Sequence, residues 1–261
     1  MPELPDVEVF AKNLQKVLGH KRLKKVKVVN GKKLPDTARA LQAALEGKVL
    51  KSVFRSGKEF RLIFDEGTLL GLHLMLTGDL FLFGEQNDHP STIVELYFEG
   101  KNNLALTDRM KNAWIKLNPE DGEGVDALHL EYDYLKKILG SKKTVKSILL
   151  DQHLIRGIGN GYSDEILWEA RISPFSRASA IPDKKIKELL EIIPKVLEEA
   201  IHKIDKAYPG KINDEVKEFL QIHRKVDGLS PTGKSIHIVA QGSRKTYYTD
   251  EQVLYDSELN G

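Results

Sequence analysis

The second and third residues of the chain, Pro2 and Glu3, have side-chain and main-chain groups that could take part in catalysis. Removal of Met1 leaves Pro2 with a free secondary amine, and an α-amino group is partly unprotonated at neutral pH. Such an amine forms a Schiff base with a carbonyl carbon, including C1′ of an opened deoxyribose. Glu3, beside it, is placed to exchange protons with the same substrate. The alternative is a frayed terminus leading into a helix, and the dipeptide alone favours that alternative.

A second candidate lies in the segment 150–174, where Gly157-Ile158-Gly159 joins two predicted helices. Backbone amides in such a turn, together with the helix N-terminus that follows, form a surface that binds phosphate. Asn160 either caps the second helix or donates its amide to a phosphate oxygen, and the segment does not distinguish the two.

Two basic residues stand at predicted turns. Arg244 lies in the run GSRKTYY at or next to a hairpin turn, where a guanidinium is free to make forked contacts with phosphate. Lys58 follows Gly57 between two predicted strands. Exposed arginines and strand-end lysines mostly face solvent, so each residue alone is ambiguous.

Cofactor motifs are missing from the sequence. It has no cysteine, its eight histidines do not fall at metal-ligand spacings, and it has no HExxH, Walker or dinucleotide-binding motif. We therefore expect no metal and no cofactor.

The composition is that of a globular protein, with 261 residues, 41% hydrophobic and 30% charged. The acidic N-terminus does not resemble a signal peptide, and no apolar run approaches the roughly 18 residues of a membrane span. We expect a cytoplasmic, nucleoid-associated monomer. The net charge of +2 fits a nucleic-acid binder without excluding other classes.

The elements that must position these residues change in type along the chain. Helical spacing predicts a helix after Pro5, capped by Asp6 and ended by Gly19. Short runs rich in Val, Leu, Ile and Phe then alternate with turn residues to about Leu117, which predicts an antiparallel β-sandwich or barrel.

The C-terminal half is predicted to be helical and to end in a hairpin. The predicted helices are Tyr132 to Leu139, Thr144 to Asp151, Gly161 to Ala170, Lys184 to Lys206 and Asp214 to His223. The runs 235–239 and 245–248 predict the hairpin. We predict an N-terminal domain at 1–120, a helical domain at 126–225 and a hairpin and tail at 226–261.

Several motifs in this order resemble the formamidopyrimidine-DNA glycosylase/endonuclease VIII family. They are MPELPDVE at the start, Gly57-Lys58, His73-Leu-Met-Leu-Thr-Gly78, LDQHLIRGIGNGYSDEIL and GSRKTYY. The resemblance spans nearly the whole chain. It implies an α+β fold, with an N-terminal antiparallel β-sandwich flanked by helices, then a helical domain with a helix-two-turns-helix and a β-hairpin finger.

The resemblance also implies a function and a set of roles. The protein would excise oxidised bases from double-stranded DNA and cleave abasic sites by β,δ-elimination. Pro2 would attack C1′, Glu3 would be the acid/base, and Lys58 would assist elimination and bind phosphate. The family flips the damaged nucleotide out of the stack. In the C-terminal half, Lys146 and Asn160 would bind the DNA backbone around the lesion. Arg244 would bind the phosphates and assist the second elimination.

The sequence departs from the family at the zinc finger. The four positions that hold cysteines in the family hold Leu229, Thr232, Thr249 and Gln252 here. None supplies a thiolate, while the hairpin sequence around Arg244 is kept. This departure indicates a zincless finger, whose packing and hydrogen bonds replace the metal's contribution to folding.

Two further departures concern the lesion. The family's void-filling loop reads here Asp108-Arg-Met-Lys-Asn-Ala113, in which Arg109 is the candidate to reach the orphaned base, and Leu76 replaces a methionine. Met110 or Lys111 takes the place of the missing phenylalanine. The segment 209–229 is short, which favours formamidopyrimidines, oxidised pyrimidines and hydantoins over 8-oxoguanine, although Leu4 resembles the formamidopyrimidine branch.

Two other functions stay open at this point. A non-catalytic protein that binds damaged DNA would explain the missing wedge residue, but it would not need Pro2 followed by Glu3. An RNA- or ribosome-associated module would explain Gly157 to Asn160 but not the N-terminus.

Overall fold

The computed structural model describes residues 1–224, 228–242 and 244–256. The chain divides into two compact units. The first contains Met1–Asp121 and Ile204–Val216, and the second contains Gly122–Lys203 and the chain from Lys217 onward.

Two four-stranded antiparallel sheets form the first unit. The first sheet contains β1 (Leu23–Val28), β5 (Gly78–Phe83), β6 (Thr92–Phe98) and β7 (Asn103–Asp108), in the order β1-β6-β7-β5. The second contains β2 (Leu50–Ser56), β3 (Glu59–Phe64), β4 (Leu69–His73) and β8 (Trp114–Leu117), in the order β2-β3-β4-β8. This arrangement confirms the predicted antiparallel β-sandwich.

Burial along the strands follows their place in the sheets. All six residues of the inner strand β7 are buried, whereas the edge strand β1 alternates buried Leu23 and Val26 with exposed lysines. Charged side chains on an edge discourage pairing with another chain. The core of this unit is aromatic and aliphatic, with Phe10, Phe60, Phe64 and Phe98 among its fully buried side chains.

Helix α1 (Leu4–Leu18) begins three residues before the predicted start. Its N-cap is Glu3 rather than Asp6, and Asp6 is the third helical residue of a capping box. In this motif the Glu3 carboxylate accepts the backbone N–H of Asp6, and the Asp6 carboxylate accepts that of Glu3. Pro5 near the helix start lacks the N–H that would be left unpaired. The helix ends before Gly19, as predicted.

One α-helix among the described residues was not predicted. Helix α2 (Ala38–Leu45) lies between β1 and β2 and is capped by the Thr37 hydroxyl, which accepts the N–H of Ala40. Only Leu41 and Leu45 of this helix are buried, so its apolar pattern is short and easily lost among the neighbouring strand runs.

The second unit contains the remaining helices. They are α3 (Tyr132–Leu139), α4 (Val145–Leu150), α5 (Asn160–Glu169) and α6 (Asp183–Ala207), the last of which continues to Ala207 in the first unit. Strands β9 (Val125–Asp126) and β10 (Ile155–Arg156) pair in parallel. Strands β11 (His237–Gln241) and β12 (Arg244–Tyr248) form the predicted hairpin, with Gln241 opposite Arg244. No described helix is long and apolar enough to cross a membrane.

The predicted helix from Asp214 to His223 is wrong, because this segment forms turns and bends. Its apolar residues Val216, Leu220 and Ile222 are buried at spacings that resemble a helix. Within the second unit, the Glu165 carboxylate accepts the N–H groups of Gln221, Ile222 and His223 at 2.7, 2.9 and 2.8 Å. A buried side chain therefore satisfies the amides that a helix would have paired.

Candidate active site and nucleic-acid interface

The N-terminal arm enters α1 as a buried segment, not as a frayed end. Pro2 is buried and Glu3 is only 5% exposed. The ammonium group of Met1 lies 2.9 Å from Oε2 of Glu215, which belongs to the same unit. An amine at this end of the chain is therefore held beside carboxylates, and its position is fixed by the helix that follows.

Asp6 ties this arm to the segment that follows α6. Its Oδ2 accepts the N–H of Glu3 at 3.1 Å, and its Oδ1 accepts the N–H of Val216 at 3.0 Å. Burial raises the pKa of Asp6 to about 7, although the two backbone hydrogen bonds oppose the shift. A group that titrates near neutral pH thus lies three residues from Glu3.

Lys58 occupies a two-residue turn between β2 and β3. Ser56 pairs with Glu59, and Gly57 has φ of 61°, which a tight hairpin turn of this kind requires. Arg55 fixes the turn, since its Nε lies 2.7 Å from Oε2 of Glu8 on α1 and its Nη1 donates to the carbonyl of Gly57. Lys58 is 8% exposed, which excludes the solvent-facing alternative.

His73 is a neighbour of Lys58 that the motif search quoted but did not assign. Burial lowers the pKa of His73 to about 4, and the charges of Lys58 and Arg61 contribute to the shift. Its Nδ1 accepts the N–H of Met75 at 2.8 Å, so the neutral ring carries its hydrogen on Nε2. The ring also stacks on Trp114. His73 is therefore a fixed neutral donor next to the Lys58 turn.

Leu76 and Arg109 lie on two loops at one end of the first sheet. Gly78, the first residue of β5, pairs with Asp108, the last residue of β7, so the loop before β5 and the loop after β7 lie at the same end of the sheet. Leu76 is 62% exposed, and Arg109 and Met110 are exposed as well. The two loops therefore present exposed apolar and cationic side chains at the same end of the sheet.

Asp108 holds these two loops together. Its carboxylate accepts the hydroxyl of Thr77 and the N–H groups of Met110, Asn112 and Ala113. Burial raises the pKa of Asp108, but these hydrogen bonds outweigh burial and leave it below its ordinary value. The carboxylate therefore stays charged and keeps both loops in place at neutral pH.

The second unit has an open pocket of about 500 Å³ between the helices and the hairpin. Its lining includes Lys146, Asn160 and Arg244, the three residues that the resemblance assigns to the DNA backbone. The hydroxyls of Thr144 and Ser147 and the imidazole of His153 also line it. A pocket with two cations and several donors is suited to phosphate.

Lys146 reaches the pocket from a buried ion pair. Its Nζ lies 2.6 Å from Oδ1 of Asp164 and 2.9 Å from the hydroxyl of Thr246 on β12. The other carboxylate oxygen of Asp164 lies 2.7 Å from Nδ1 of His223 and 3.0 Å from the amide of Tyr247. Asp164 has no exposed surface, so one carboxylate orients the lysine and anchors the hairpin.

Asn160 does not cap helix α5, because Gly159 is the N-cap and Asn160 is the first helical residue. Its Nδ2 donates to the carbonyl of Lys245 at 2.8 Å, and its buried Oδ1 has no hydrogen-bond partner. The turns before it are held by Gln152, whose side chain accepts the N–H of Gly157 and donates to the carbonyl of Ile158. The Asn160 side chain therefore joins the first turn of α5 to the backbone of the hairpin.

The predicted residues thus fall into three groups. The arm with Pro2 and Glu3 and the turn with Lys58 belong to the first unit, where the Arg55–Glu8 ion pair joins α1 to β2. The two loops of the first sheet carry Leu76 and Arg109. The pocket of the second unit collects Lys146, Asn160 and Arg244.

Sequence reasoning missed the carboxylates that position these groups. Asp164 and Glu165 stand next to each other in α5, a helix in which Gly161 to Trp168 are all buried. Burial raises the pKa of Glu165, against the hydrogen bonds from three backbone amides. Two consecutive acids followed by Ile166, Leu167 and Trp168 were the available signal, because acids are buried only when they are paired.

Comparison with known proteins identifies the family of the chain. The model of the formamidopyrimidine-DNA glycosylase N-terminal domain matches residues 1–114, and that of the formamidopyrimidine-DNA glycosylase H2TH domain matches residues 124–208. A formamidopyrimidine-DNA glycosylase of Pelotomaculum thermopropionicum is 31% identical, covering 95% of this chain and 97% of its own. That of Streptococcus mutans is 27% identical, covering 95% and 97%.

Solved structures show the same fold. Wild-type Lactococcus lactis Fpg (MutM) in complex with DNA containing an oxidised pyrimidine superimposes with a TM-score of 0.85 at 23% identity, covering 95% of this chain and 98% of that one. The complex of Lactococcus lactis Fpg with DNA containing an abasic site gives 0.84 at 21% identity, covering 95% and 97%.

The class that this fold defines is an α+β protein with a β-sandwich and a helix-two-turns-helix domain. The chain belongs to the formamidopyrimidine-DNA glycosylase family, and it is an enzyme of the DNA glycosylase class. With no cysteine in the sequence, it is a zincless member of the family.

Proposed function

We propose that the chain is a base-excision repair glycosylase with AP lyase activity, which acts through the amine of Pro2. The observation that carries the proposal is the buried N-terminal arm, in which Pro2 and Glu3 are fixed by the capping box of α1. A nucleophile must be held in register with its acid/base to gain from proximity. Lys58, buried on its turn in the same unit, supplies a cation for the sugar-phosphate backbone.

The proposed reaction has two stages. The lone pair of the Pro2 nitrogen attacks C1′, the C1′–base bond breaks, and the base leaves with its bonding pair and a proton. Glu3 exchanges protons with the sugar and the base. The sugar ring opens, and a positively charged Schiff base joins the nitrogen to C1′.

Strand cleavage follows from this Schiff base. The iminium acidifies the C2′ proton, and loss of that proton breaks the C3′–O bond in the β-elimination. A second elimination breaks the C5′–O bond, a step that the family resemblance expects Arg244 to assist. Water then hydrolyses the Schiff base and regenerates the Pro2 amine.

Binding to double-stranded DNA would use the pocket of the second unit. Lys146, Asn160 and Arg244 line it, and their side chains carry N–H groups of the kind that bind phosphate oxygens. Such contacts give affinity without reading the sequence. Leu76 and Arg109 would enter the space of the flipped base, and Met110, which is 51% exposed, is the apolar side chain that replaces the wedge.

The proposed substrates are oxidised pyrimidines, formamidopyrimidines and hydantoins, with 8-oxoguanine a poor substrate. The segment after α6 supports this choice, since hydrogen bonds tie it down at both ends. Asp6 accepts the amide of Val216 in the first unit, and Glu165 accepts amides from Gln221 to His223 in the second. A segment held in this way is not the long covering loop that the resemblance associates with 8-oxoguanine.

Borohydride trapping tests the proposal. Duplexes with an abasic site, 5-hydroxyuracil, a hydantoin or 8-oxoguanine should give covalent complexes in all but the last case. Glu3→Gln should slow trapping at base lesions by about 10²-fold or more, as general acid–base catalysis predicts. Glu85→Gln, at an exposed carboxylate of the same unit, is the matched control and should trap normally. Binding without any trapping would instead support the non-catalytic alternative.

A further inference from the structure

The base of the hairpin contains a convergence of hydrogen-bond donors on one carboxylate oxygen. Oε2 of Glu251 accepts the hydroxyl of Thr232 at 2.7 Å and that of Thr249 at 3.2 Å, and the hydroxyl of Ser230 lies behind Thr232, 2.8 Å from the Thr232 oxygen. The indole Nε1 of Trp168 lies 3.4 Å from the same oxygen. These donors come from the segment before β11, the segment after β12 and helix α5.

This site does not fit a zinc ion. The four positions that hold cysteines in the family hold Leu229, Thr232, Thr249 and Gln252, and Leu229 is 49% exposed and has no donor atom. Zinc needs lone pairs from thiolate, imidazole or carboxylate. Among the described residues no three His, Cys, Asp or Glu side chains form a group that could hold a metal. The hydroxyls and the indole N–H call for an acceptor at the centre, not for a cation.

We propose that Glu251 is an anionic node that takes the place of the metal, joins the two ends of the hairpin to α5, and positions Arg244 for DNA. Hydrogen bonds to an ionised carboxylate are roughly twice as strong as neutral ones, so one side chain holds three segments together. The hydrogen bond from Thr232 is the main cause that lowers the pKa of Glu251, and it outweighs the effect of burial. The hydrogen bonds from Trp168 and Thr249 and the charge of Arg171, whose Nη2 lies 3.9 Å from Oε1, act in the same direction, so Glu251 is charged at neutral pH.

The surrounding contacts connect the node to the rest of the unit. Gln252, next to it, accepts the amide of Thr249 and donates to the carbonyl of Ile172, at 2.8 and 2.9 Å. Trp168 packs with Ile222 and Tyr247 in a small core beneath the hairpin. The node therefore stands where the hairpin leaves the helical part of the unit.

The length of β12 makes the position of Arg244 sensitive to movements at the base of the hairpin. With a rise of about 3.3 Å per residue, Arg244 at the start of β12 lies roughly 16 Å from Thr249 at the hairpin base. A tilt of the base by about 10° would move the Arg244 end by on the order of 3 Å. A shift of this size breaks a hydrogen bond to phosphate, whose donor–acceptor distance is about 2.9 Å.

The proposal rests on the proposed function, because its readout is affinity for damaged DNA. We would measure binding to a duplex with a tetrahydrofuran abasic-site analogue for wild type, Glu251→Gln, Glu251→Ala and Glu191→Gln. The last is the matched control, at an exposed carboxylate of α6 in the same unit. Glu251→Ala should weaken binding about tenfold, the equivalent of one charge-assisted hydrogen bond. Glu251→Gln, which keeps one acceptor oxygen, should weaken it less.

Two further readouts separate positioning from general loss of stability. The rate of trapping at saturating abasic DNA should stay near wild type in Glu251→Ala, since Pro2 belongs to the other unit. In an Arg244→Ala background, Glu251→Ala should produce no further loss of affinity, because the two changes remove the same contact.

Metal rescue tests the node directly. Leu229→Cys, Thr232→Cys, Thr249→Cys and Gln252→Cys, combined with Glu251→Ala, should bind one zinc ion and recover wild-type affinity. Loaded protein that stays as weak as Glu251→Ala would overturn the proposal, as would a Glu251→Ala variant that binds like Glu191→Gln. Trp168 emission, read in a Trp114→Phe background, should shift to the red in Glu251→Ala without DNA. Wild-type protein that neither binds nor traps abasic DNA would refute the proposed function, while the Trp168 shift would still report on the node.

Discussion

The Lys146–Asp164 pair allows the account of the DNA-binding pocket to be tested by three variants. Asp164→Asn keeps the shape of the side chain and removes its charge. Lys146→Met keeps most of the length of the lysine and removes its ammonium. The double variant removes both charges from the buried pair, whose side chains are 7% and 0% exposed.

The expected magnitudes follow from what each change leaves unpaired. Asp164→Asn leaves a buried ammonium without a counter-charge and weakens the contacts to His223 and Tyr247, so we expect a loss of roughly 3 kcal/mol. Lys146→Met leaves a carboxylate that still accepts from the Tyr247 amide and His223, so we expect about 2 kcal/mol. The double variant should lose less than the sum, with a coupling of about 2 kcal/mol.

Urea unfolding monitored by circular dichroism measures these differences. The control is Asp183→Asn, which breaks the Lys136–Asp183 pair at a similar Nζ–Oδ2 distance of 2.7 Å but with both side chains exposed. This exposed pair should change stability far less, because solvent screens it. In DNA binding, Lys146→Met should also reduce the dependence on salt by about one counterion. If Asp164→Asn destabilised the protein no more than Asp183→Asn, the role of Asp164 in holding the lysine and hairpin would be refuted.

Three other predictions follow from the same structure. Arg244→Ala should weaken binding to abasic DNA roughly tenfold and lower the salt slope by about one, as loss of a phosphate contact requires; an unchanged salt slope in a titration from low to high salt would contradict this. Burial raises the pKa of Asp6 from 3.8 to about 7, so between these pH values the folded protein holds a proton that the unfolded chain releases. The stability of the protein should therefore fall as pH rises from about 4 to about 7, and the Asp6→Asn variant should not show this fall. Thermal melts with the same pH profile for wild type and Asp6→Asn would contradict this role of Asp6. Dialysis against a chelator should leave both the melting temperature and the affinity for abasic DNA unchanged, and a loss that added zinc restores would count against the zincless hairpin.

The parts of the fold that the sequence predicts are those with a strong local pattern. Alternating apolar runs mark the sheets, and helical spacing places α3 and α6 within a residue or two of their bounds. Gly57-Lys58 is predicted as a turn because glycine stands there between two strand-like runs, and the structure places Gly57 at φ of 61°. The hairpin with Arg244 follows from two short strand-like runs around a Gln-Gly-Ser turn.

The predictions that are wrong concern segments whose structure depends on contacts between residues distant in the sequence. The segment 214–223 has apolar residues at nearly helical spacing, but side-chain carboxylates far along the chain accept its amides. The N-cap of α1 is misplaced by three residues, because Glu3 and Asp6 both have the side chain for a cap and only their reciprocal bonding decides.

The residues of the candidate site can also be divided into those that the sequence identifies and those that it does not. Pro2, Glu3, Lys58, Lys146, Asn160 and Arg244 are identified by motif resemblance, and the structure adds where each is held. Their roles stay predictions. The supporting carboxylates Asp108, Asp164 and Glu251 were not identified, since nothing local to an acid in the sequence shows which amides or hydroxyls will reach it.

The most direct test of the account is to identify the atom that bonds to the sugar. Wild-type protein would be trapped with borohydride on an abasic duplex, digested with nuclease and protease, and analysed by mass spectrometry. We predict that the reduced sugar adduct lies on the nitrogen of Pro2 in an N-terminal peptide that lacks Met1. An adduct on Lys58 or another lysine, with an unmodified Pro2, would contradict the central claim.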